Sequence, residues 1–530
     1  MYRLSLFLLL LPLGAMFCAI PTKGQSNVSS SNINSIQWIG GTSMTDLGQQ
    51  FNTAEANLPT NGGEIDVIPP TVVPPNQDFP FYIFQTAMVF NKTVKLKCVR
   101  GGYANGNTDG TPVNGHLTSL LAWSGTATVP PIQIGTPIPL ATTGFPIVAS
   151  GGTGTVSCPT TCVVYPGQLL AILNSNYSSF NYNNDGKNLF YITNVLSPTQ
   201  FQFATSISHT ATGGSIAIIG AAIGSSVEGC QFSYFPQSGT VAPPVFVDID
   251  SGANHVTLDR VTVDNPTQAA SLEATVAAFR FGNTTSIGDV ICRDSLVRSG
   301  APIGYQLLNV NTNSALLGSG INPALINVHA GFTGYGCRAL QDGIGQNGVG
   351  EWQIGTDTIT VQNFTCYGCS SEAGPATTLT NGNGVVINSV AGFHWYGGYF
   401  EVGGPSTQSN SPSVYGVNVS GLGPAQNVQV DGSFLTGGVL GNPNNPTYGF
   451  NISCATCDLA VTNTWLDGKF AATSYIVANS SFKRVIVTGS DAFPTTGSFE
   501  GAVTNGSAGA IQCGNVFDGS LDTTHHCAPQ

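Results

Sequence analysis

The stretch Val428-Gln-Val-Asp-Gly-Ser-Phe-Leu435 decides the fold, because it places two short strands on either side of one glycine. Apolar residues stand at the first, third and eighth positions, and a small residue stands at the sixth. The fifth position is Gly432, and glycine adopts a left-handed backbone without steric penalty. The unit therefore predicts a strand, a sharp one-residue corner and a second strand.

The same template recurs along the second half of the chain, with copies roughly 33 residues apart, a period typical of solenoid proteins. The eight copies begin at Val256, Val290, Ile326, Ile359, Phe393, Val428, Leu459 and Val485. Their corner residues are Arg260, Asp294, Ala330, Asn363, Gly397, Gly432, Asn463 and Gly489. Most of these are Asn, Asp or Gly, the residue types that tolerate a left-handed backbone.

A third predicted strand precedes most copies of the template. These strands are Phe246–Asp250, Ala278–Phe281, Leu307–Val310, Val385–Asn388, Val417–Val419 and Phe450–Ile452. Three strands per repeat predict an all-β protein, a single-stranded right-handed parallel β-helix with coils about 4.8 Å apart. A propeller or a sandwich is the alternative, but sandwich strands usually alternate with tight hairpins, which are scarce here.

The composition agrees with this architecture. Only 15 basic and 27 acidic residues occur among 530, or 8%, against about 25% in ordinary globular proteins. Like charges repeated on successive coils would repel, so neutral side chains suit the stack. Heptad coiled coils and acid-rich disorder are excluded. A net charge of −12 without a basic run argues against nucleic-acid binding.

The chain divides into five predicted segments. Residues 1–24 read as a secretory signal peptide, with Arg3 before an apolar run too short to span a membrane. Residues 25–136 form an N-terminal cap and the first coils, and 137–222 an inserted small β-domain. Residues 223–500 form the main β-helix and 501–530 a C-terminal cap or tail. We expect a secreted or periplasmic protein, with an uncleaved anchor as the alternative, and no membrane contact after signal removal.

The cysteines fit an oxidising compartment. Thirteen occur, and twelve follow the signal, so disulfides are the default expectation. Closely spaced candidate pairs are Cys158/Cys162, Cys366/Cys369, Cys454/Cys457 and Cys513/Cys527. Cys98 and Cys230 flank the insert and could pair across adjacent coils. The two C-x2-C pairs leave a zinc site open as an alternative.

The N-terminal part carries a resemblance to a known family. A predicted short amphipathic helix at 46–58 precedes Asn-Gly-Gly-Glu-Ile-Asp-Val-Ile-Pro-Pro at 61–70 and Asn-Lys-Thr-Val-Lys-Leu-Lys-Cys at 91–98. This order resembles exported proteins of the pectate lyase-like superfamily, in particular the pectate-lyase-3-like right-handed β-helices. The resemblance covers about 36–130 and 220–500 and implies architecture, because the fold hosts many chemistries.

The resemblance brings no catalytic motif with it. The polygalacturonase elements Asp-Asp, Gly-His-Gly and Arg-x-Lys are missing, and the one Asn-Thr-Asp, at 107–109, lies in a glycine-rich loop. No Asp cluster with the signature of calcium-dependent pectate lyases occurs either. Neither activity is carried over.

Two outward rows of the template supply one candidate site. The seventh template positions are Thr262, Leu296, Phe332, Thr365, Tyr399, Phe434, Trp465 and Asp491. The ninth positions are Asp264, Arg298, Gly334, Tyr367, Glu401, Thr436, Asp467 and Phe493. Tyr367, Tyr399, Phe434 and Trp465 are predicted to bind sugar rings, and Glu401 and Asp467 to be catalytic. Two coils, or roughly 10 Å, separate these acids, near the carboxyl separation of inverting glycosidases. The alternative is that loops cover this face.

A second candidate site lies on the first strand of each coil. Asp248 and Asp250 are predicted to share one side of a strand, with Arg280 one coil later. They are candidate catalytic acids with Arg280 as a substrate-binding residue, or else a Ca²⁺ site. The alternative is an Asp–Arg pair on a solvated face.

Two functions remain open from the sequence. The first is a polysaccharide-engaging enzyme, a glycoside hydrolase or polysaccharide lyase with paired carboxylates. The second is a non-catalytic extracellular glycan-binding or adhesin-like protein. In both, the partner is a polysaccharide or a cell-surface glycan. Ca²⁺ is the one cofactor left open.

Overall fold

The computed structural model shows a parallel β-helix from Ser35 onward. It describes residues 35–41, 46–59, 61–71, 80–98, 120–135, 138–141, 144–162, 164, 166, 168–181, 189–219, 222, 224–235, 239–250, 253, 255–264, 274–282, 287–298, 301–308, 310, 331–341, 351–357, 359–373, 384–402, 414–419, 421, 423–437, 447–453, 456–468, 476–478, 484–494, 503–504, 510–513, 516–517 and 520–521. The predicted signal peptide therefore lies outside the described residues.

Three long sheets form the walls of the coil stack, and each coil contributes one strand to each sheet. Sheet A contains Ile36–Ile39, Gly63–Val67, Val94–Cys98, Ser226–Glu228, Val256–Asp259, Val290–Arg293, Phe332–Tyr335, Val361–Tyr367, Val390–Tyr396, Ala425–Asp431, Asp458–Thr462, Arg484–Thr488 and Ala510–Cys513. Its strands are parallel throughout, as the predicted fold requires.

Sheet B follows sheet A within each coil. It contains Tyr82–Phe84, Leu120–Trp123, Gln231–Tyr234, Thr262–Asp264, Leu296–Arg298, Arg338–Gln341, Ser370–Ala373, Tyr399–Val402, Phe434–Gly437, Trp465–Gly468, Asp491–Pro494, Val516–Phe517 and Ser520–Leu521. Only the last pair of strands is antiparallel.

Sheet C completes each coil before the chain returns to sheet A. It contains Met88–Phe90, Ile132–Ile134, Val245–Ile249, Ala277–Phe281, Ile303–Leu307, Trp352–Ile354, Val385–Ile387, Val414–Val419, Thr447–Ile452, Ile476–Ala478 and Val503–Thr504. One predicted strand, Leu307–Val310, is wrong, because the chain enters sheet C four residues earlier.

Single left-handed residues make the corner between sheets A and B. In successive coils they are Gly229, Arg260, Asp294, Gly336, Gly368, Gly397, Gly432, Asn463 and Gly489, with φ between 44° and 65°. The predicted corner is confirmed in six of the eight template copies. It is wrong at Ala330 and Asn363, whose coils turn at Gly336 and Gly368 instead.

The two corners were placed wrongly because the sequence template is out of register with the structure in these two coils. Phe332, not Ile326, pairs with Val290, and Phe364, not Ile359, pairs with Phe332. The template expected an apolar residue two positions after each start, and Gly334 breaks that rule. A Cβ at Gly334 would meet the Sγ of Cys366 at 2.5 Å, so the disulfide of the next coil fills the space of the missing side chain.

A second column of left-handed residues stands at or near the beginning of the sheet A strands, and the sequence template did not include it. Its members are Gly224, His255, Asp289, Gly331, Asn363, Gly392 and Asn427. Gly224, His255, Asp289 and Gly331 precede their sheet A strands, whereas Asn363, Gly392 and Asn427 lie inside the strands Val361–Tyr367, Val390–Tyr396 and Ala425–Asp431. His255 and Asp289 also join their coils through a side-chain contact of 2.5 Å between Nδ1 and Oδ2.

The core is a column of stacked apolar side chains inside the coils. Phe332, Phe364 and Phe393 stack on one another with ring centroids 5.2 and 4.7 Å apart and nearly parallel planes. Tyr305 and Trp352 stack in the same way at 4.1 Å. All five are fully buried. Aromatic residues at equivalent positions of successive coils therefore stack in the core in the same register as their backbones pair in the sheets.

A helix covers the N-terminal end of the stack, as predicted. It spans Leu47–Asn57 and begins at Asp46, whose Oδ1 accepts the Gly48 N–H at 3.0 Å. Leu47 and Phe51 are fully buried against the first coil. Lys92 ends the helix: its Nζ donates to carbonyl oxygens of the last turn at 2.7 to 3.0 Å. It is the one α-helix described, and it is too short to cross a membrane.

A separate antiparallel sheet of eight strands lies between the sheet C strand Ile132–Ile134 and the sheet A strand Ser226–Glu228. Its strands are Ile138–Ala141, Phe145–Ser150, Thr153–Ser157, Leu169–Leu173, Leu189–Ser197, Gln200–Ala204, His209–Gly213 and Ser215–Ile219. It has its own core, which includes Phe180 and Phe203. A short 3-10 helix, Ser178–Phe180, carries Phe180 into that core.

Four disulfides join described cysteines. The expected pairs Cys98–Cys230, Cys158–Cys162 and Cys366–Cys369 are confirmed, so the first of the two C-x2-C motifs considered for zinc is a disulfide. Cys292–Cys337 was not expected, because the slipped register hid their adjacency. The pairs predicted with Cys454 and Cys527 lie outside the described residues.

Candidate functional site

The outward face of sheet B carries the site that the structure assembles best. Strand pairing places the ring-bearing residues Tyr399, Phe434 and Trp465 on consecutive coils. The same register puts Arg338 and Ser370 before them, where the sequence template had placed Phe332 and Thr365. Phe332 is instead buried in the core, and Thr365 lies on sheet A.

Two glutamates occupy neighbouring coils of this face. Glu372 pairs with Glu401 in the register of sheet B, so their backbones are one strand spacing, about 4.8 Å, apart. The sequence predicted Glu401 and missed Glu372, because the slipped template assigned this position to Tyr367. Both acids are partly exposed. The face therefore presents a carboxylate pair to solvent.

Glu372 is held by a local network. The Arg338 guanidinium donates from Nη2 to its Oε1 at 3.0 Å and from Nε to the Ser370 hydroxyl at 3.3 Å. The Ser370 hydroxyl in turn donates to the same Oε1 at 3.2 Å. Two of these three bonds use the Glu372 Oε1 as acceptor, and the third fixes the Ser370 hydroxyl, so the network holds the Glu372 carboxyl group in place.

Glu401 has a different partner. The Tyr399 hydroxyl donates to its Oε2 at 3.2 Å. Burial raises the pKa of Tyr399, and the negative charges of Glu401 and Glu372 raise it further. Tyr399 therefore stays protonated and remains a hydrogen-bond donor across the physiological range. The two acids thus stand in unlike surroundings, one beside a cation and one beside a neutral phenol.

The three rings differ in what they offer to a ligand. Tyr399 and Phe434 stack on each other at 5.6 Å with an angle of 13°, so each covers a face of the other. Trp465 is turned by 74° relative to Phe434 at 6.2 Å. It is 51% exposed, the most exposed ring of the row. Trp465 is therefore the ring of this row that offers the most exposed area for contact with a sugar.

The predicted pair of Glu401 and Asp467 is two coils apart, because Thr436 stands between them in the ladder. The strand of Asp467 is described, but its side chain lies outside the described residues. The predicted catalytic role of Asp467 stays a prediction.

The second candidate site, on sheet C, takes a different form. Arg280 binds Asp248 with two hydrogen bonds of 2.9 Å, from Nε to Oδ1 and from Nη2 to Oδ2. The side chain of Asp248 is only 3% exposed, and Asp250 is fully buried. This geometry favours the Asp–Arg pair considered as the alternative, although the pair is buried rather than solvated. The catalytic role of these acids, and substrate binding by Arg280, stay predictions.

Tyr367 lies on sheet A rather than beside Glu401, so its predicted place in the sheet B row is wrong. It pairs with Tyr335 on one side and Tyr396 on the other. Its role in substrate binding therefore has no support from the neighbours that motivated it. As for Ca²⁺, no group of three His, Cys, Asp or Glu side chains suited to a metal ion occurs within the described residues.

Comparisons with known proteins give fold-level likenesses at most. No protein-family model matches the chain, and no curated protein sequence matches it. A solved structure titled "Glycoside hydrolase" is 9% identical, with a TM-score of 0.36, over 92% of this chain and 97% of that one. The tailspike protein gp49 from Pseudomonas phage LKA1 is 10% identical, with a TM-score of 0.33, over 86% and 74%.

A third solved structure is the catalytic unit of a GH87 α-1,3-glucanase from Streptomyces thermodiastaticus. It is 14% identical, with a TM-score of 0.22, over 74% of this chain and 89% of that one. At these identities and TM-scores the likenesses carry no inference about activity. What the chain does must be argued from its own site.

Proposed function

We propose that this chain is an exported β-helix protein that binds a polysaccharide along sheet B and cleaves it between Glu372 and Glu401. The observation that carries the proposal is the partly exposed carboxylate pair on the same face as the exposed ring of Trp465. Trp465 supplies a stacking platform for a sugar ring, and the acids lie on the strands that precede it in the row.

The two acids suit different steps of glycoside hydrolysis. Glu372, bound by Arg338, supplies a carboxylate that stabilises or attacks the sugar carbon as positive charge develops there. Glu401, one rung away, donates the proton to the leaving oxygen, and the Tyr399 hydroxyl orients it. Neighbouring strands are about 4.8 Å apart, so the carboxyl groups of two residues paired across them can adopt the roughly 5–5.5 Å separation of retaining enzymes.

The pair of Glu401 and Asp467 supports the other stereochemical outcome. Two coils, or roughly 10 Å, separate their backbones, close to the roughly 6.5–9.5 Å of inverting enzymes. NMR of the first product formed distinguishes the two pairs. Retention of the anomeric configuration assigns the reaction to Glu372 and Glu401, and inversion assigns it to Glu401 and Asp467.

A non-catalytic glycan-binding protein is the second candidate. It is favoured by the fact that Arg338 and Tyr399 already bind one oxygen of each acid, as in a network that only stabilises the sheet. Export is supported by the disulfides and by the sequence of residues 1–24. Membership of the pectate lyase-like superfamily is a further proposal, supported by the capping helix and the strand that follows it.

The test is a polysaccharide panel assayed both for reducing sugar and for the ultraviolet absorbance of unsaturated lyase products. Glu401→Gln and Glu372→Gln should each lower turnover about 10²- to 10⁴-fold. Glu228→Gln is the matched control. The side chains of Glu228 and Glu372 are both 24% exposed and both form an ion pair, but Glu228 lies on sheet A. Full activity in both test variants would rule out this site, and binding without turnover would support the second candidate.

A further inference from the structure

A row of three tyrosines, two exposed and one partly buried, runs along the outward face of sheet A, away from the proposed site on sheet B. Tyr335, Tyr367 and Tyr396 occupy successive coils, and they are called the tyrosine row here. Tyr335 is 45% and Tyr367 44% exposed. Each tyrosine is the last residue of its strand, directly before the corner glycine Gly336, Gly368 or Gly397, and the exposure of Tyr335 and Tyr367 shows that this edge of the face is open to solvent.

The rings of the tyrosine row stack on one another rather than lying flat. Adjacent centroids are 5.4 Å apart in both pairs, with angles of 13° and 18° between planes. Each ring therefore covers a face of its neighbour and presents its edge and hydroxyl to solvent. A sugar stacks best on a ring face, whereas a second row of edges and hydroxyls can interdigitate with this one.

The two ends of the row carry opposite charges. The exposed Arg293 precedes Tyr335 by one coil, and Asp431 follows Tyr396 by one coil. Asp431 accepts hydrogen bonds from the Thr462 hydroxyl at 2.6 Å and the Asn463 amide at 2.9 Å, both on Oδ1. Along the coils the order is therefore a cation at Arg293, the three phenols of the tyrosine row with Tyr367 at the centre, and an anion at Asp431.

We infer that the tyrosine row is a contact surface for a second copy of this chain, related by a two-fold axis through Tyr367. An axis along the strand direction places the same row of each copy face to face and antiparallel. Because this axis reverses the order of the coils, one end of the row faces the other end of the row in the partner copy, so the two ends must carry opposite charges. They do: Arg293 of one copy faces Asp431 of the other at both ends.

The rest of the sheet agrees with this register. One coil beyond the ion pairs, Asp259 of one copy faces Thr462 of the other. In the next coil, Glu228 of one copy faces Thr488 of the other. No like charges meet across these positions. A shift of the axis by one coil to Tyr335 would place Glu228 against Asp431, which costs association energy. The charges therefore favour an axis through Tyr367 over one through Tyr335.

The size of the surface sets the expected strength. The third to the thirteenth strands of sheet A overlap in this arrangement, which spans about 48 Å at about 4.8 Å per strand. With a width of about 13 Å, the contact covers on the order of 600 Å² per copy. Stable interfaces bury about 800 Å² per partner, so a reversible dimer is expected rather than a permanent one.

The test is sedimentation velocity of the full chain over a hundredfold range of concentration. Wild type should shift from monomer to dimer as concentration rises. Arg293→Asp alone and Asp431→Arg alone should each weaken association about tenfold or more, because like charges then meet at both ends. The double variant Arg293→Asp/Asp431→Arg should restore it.

Folding is checked by the melting temperature of each variant, and Tyr367→Glu gives an independent disruption at an exposed position. A wild type that stays monomeric at all concentrations overturns the inference. So does a dimer that the single charge reversals leave intact. If Tyr367→Glu weakens polysaccharide binding while no dimer forms, the row is a glycan surface and the inference is wrong.

Discussion

Removal of the Trp465 ring should weaken polysaccharide binding by an amount that the structure fixes. A buried aromatic side chain removes roughly 200 Å² from water. Because Trp465 is 51% exposed, about 100 Å² remains for a ligand to cover. A sugar on one side of the ring covers between half and all of this area. At about 25 cal/mol per Å², that is worth about 1.3–2.5 kcal/mol.

Trp465→Ala should therefore raise the dissociation constant about 8-fold to 70-fold. Affinity electrophoresis ranks the panel, and calorimetry on the best ligand gives the constant. Trp38→Ala is the matched control, since that ring is 61% exposed on the first strand of sheet A, outside the proposed site. Unchanged affinity in Trp465→Ala, or an equal loss in both variants, would show that the Trp465 ring does not contact the bound sugar.

Four further predictions concern the fold and use urea denaturation. Gly334→Ala should cost about 1–3 kcal/mol, since its Cβ would lie 2.5 and 2.9 Å from the Sγ atoms of the next coil's disulfide. Lys92→Met should cost about 1.5–3 kcal/mol, because buried carbonyls at the end of the capping helix lose a charged donor. Arg280→Met should cost about 3–5 kcal/mol by leaving the Asp248 carboxylate buried alone, and the double variant with Asp248→Asn should recover most of it. Burial raises the pKa of the Glu55 carboxyl group above its ordinary value of 4.5, so the native state binds this proton at a higher pH than the unfolded state does. The resulting contribution to the free energy of unfolding is fully present below pH 4.5 and is lost as pH rises through the pKa of the folded state. Glu55→Gln should abolish this pH dependence.

The repeating part of the fold was predictable because its corners need a special backbone. Gly432 and Gly489 stand where a φ of about 60° is required, and the sequence shows them at fixed distances from apolar pairs. The second column of corners was not predictable from apolar spacing alone. His255 and Asp289 adopt a left-handed backbone there, and neither residue type indicates that conformation as strongly as glycine does.

The candidate site was predictable only in part, and the reason is local. Cys366 and Cys369 fill the core where apolar residues were expected, and Gly334 makes room for them. The template therefore slipped in two coils and hid Glu372. A search that also allowed cysteine, glycine and serine at core positions would have found the corner at Gly368 and the acid that follows it, because the buried Ser371 stands where the template expected an apolar residue.

Orientation of side chains was beyond the sequence altogether. Asp248 and Glu401 look alike as acids on outward strand positions. The structure buries the first against Arg280 and leaves the second partly exposed beside Tyr399. What separates them is the covering of each sheet face, which depends on contacts distant in sequence.

The most direct test of the proposed site is a crystal structure of the Glu401→Gln variant with an oligosaccharide of the best-binding polysaccharide. The account predicts a sugar ring stacked on Trp465, with the chain running along sheet B and a glycosidic oxygen beside position 401, facing Glu372. An oligosaccharide bound on sheet C near Arg280, or along the tyrosine row of sheet A, would contradict it.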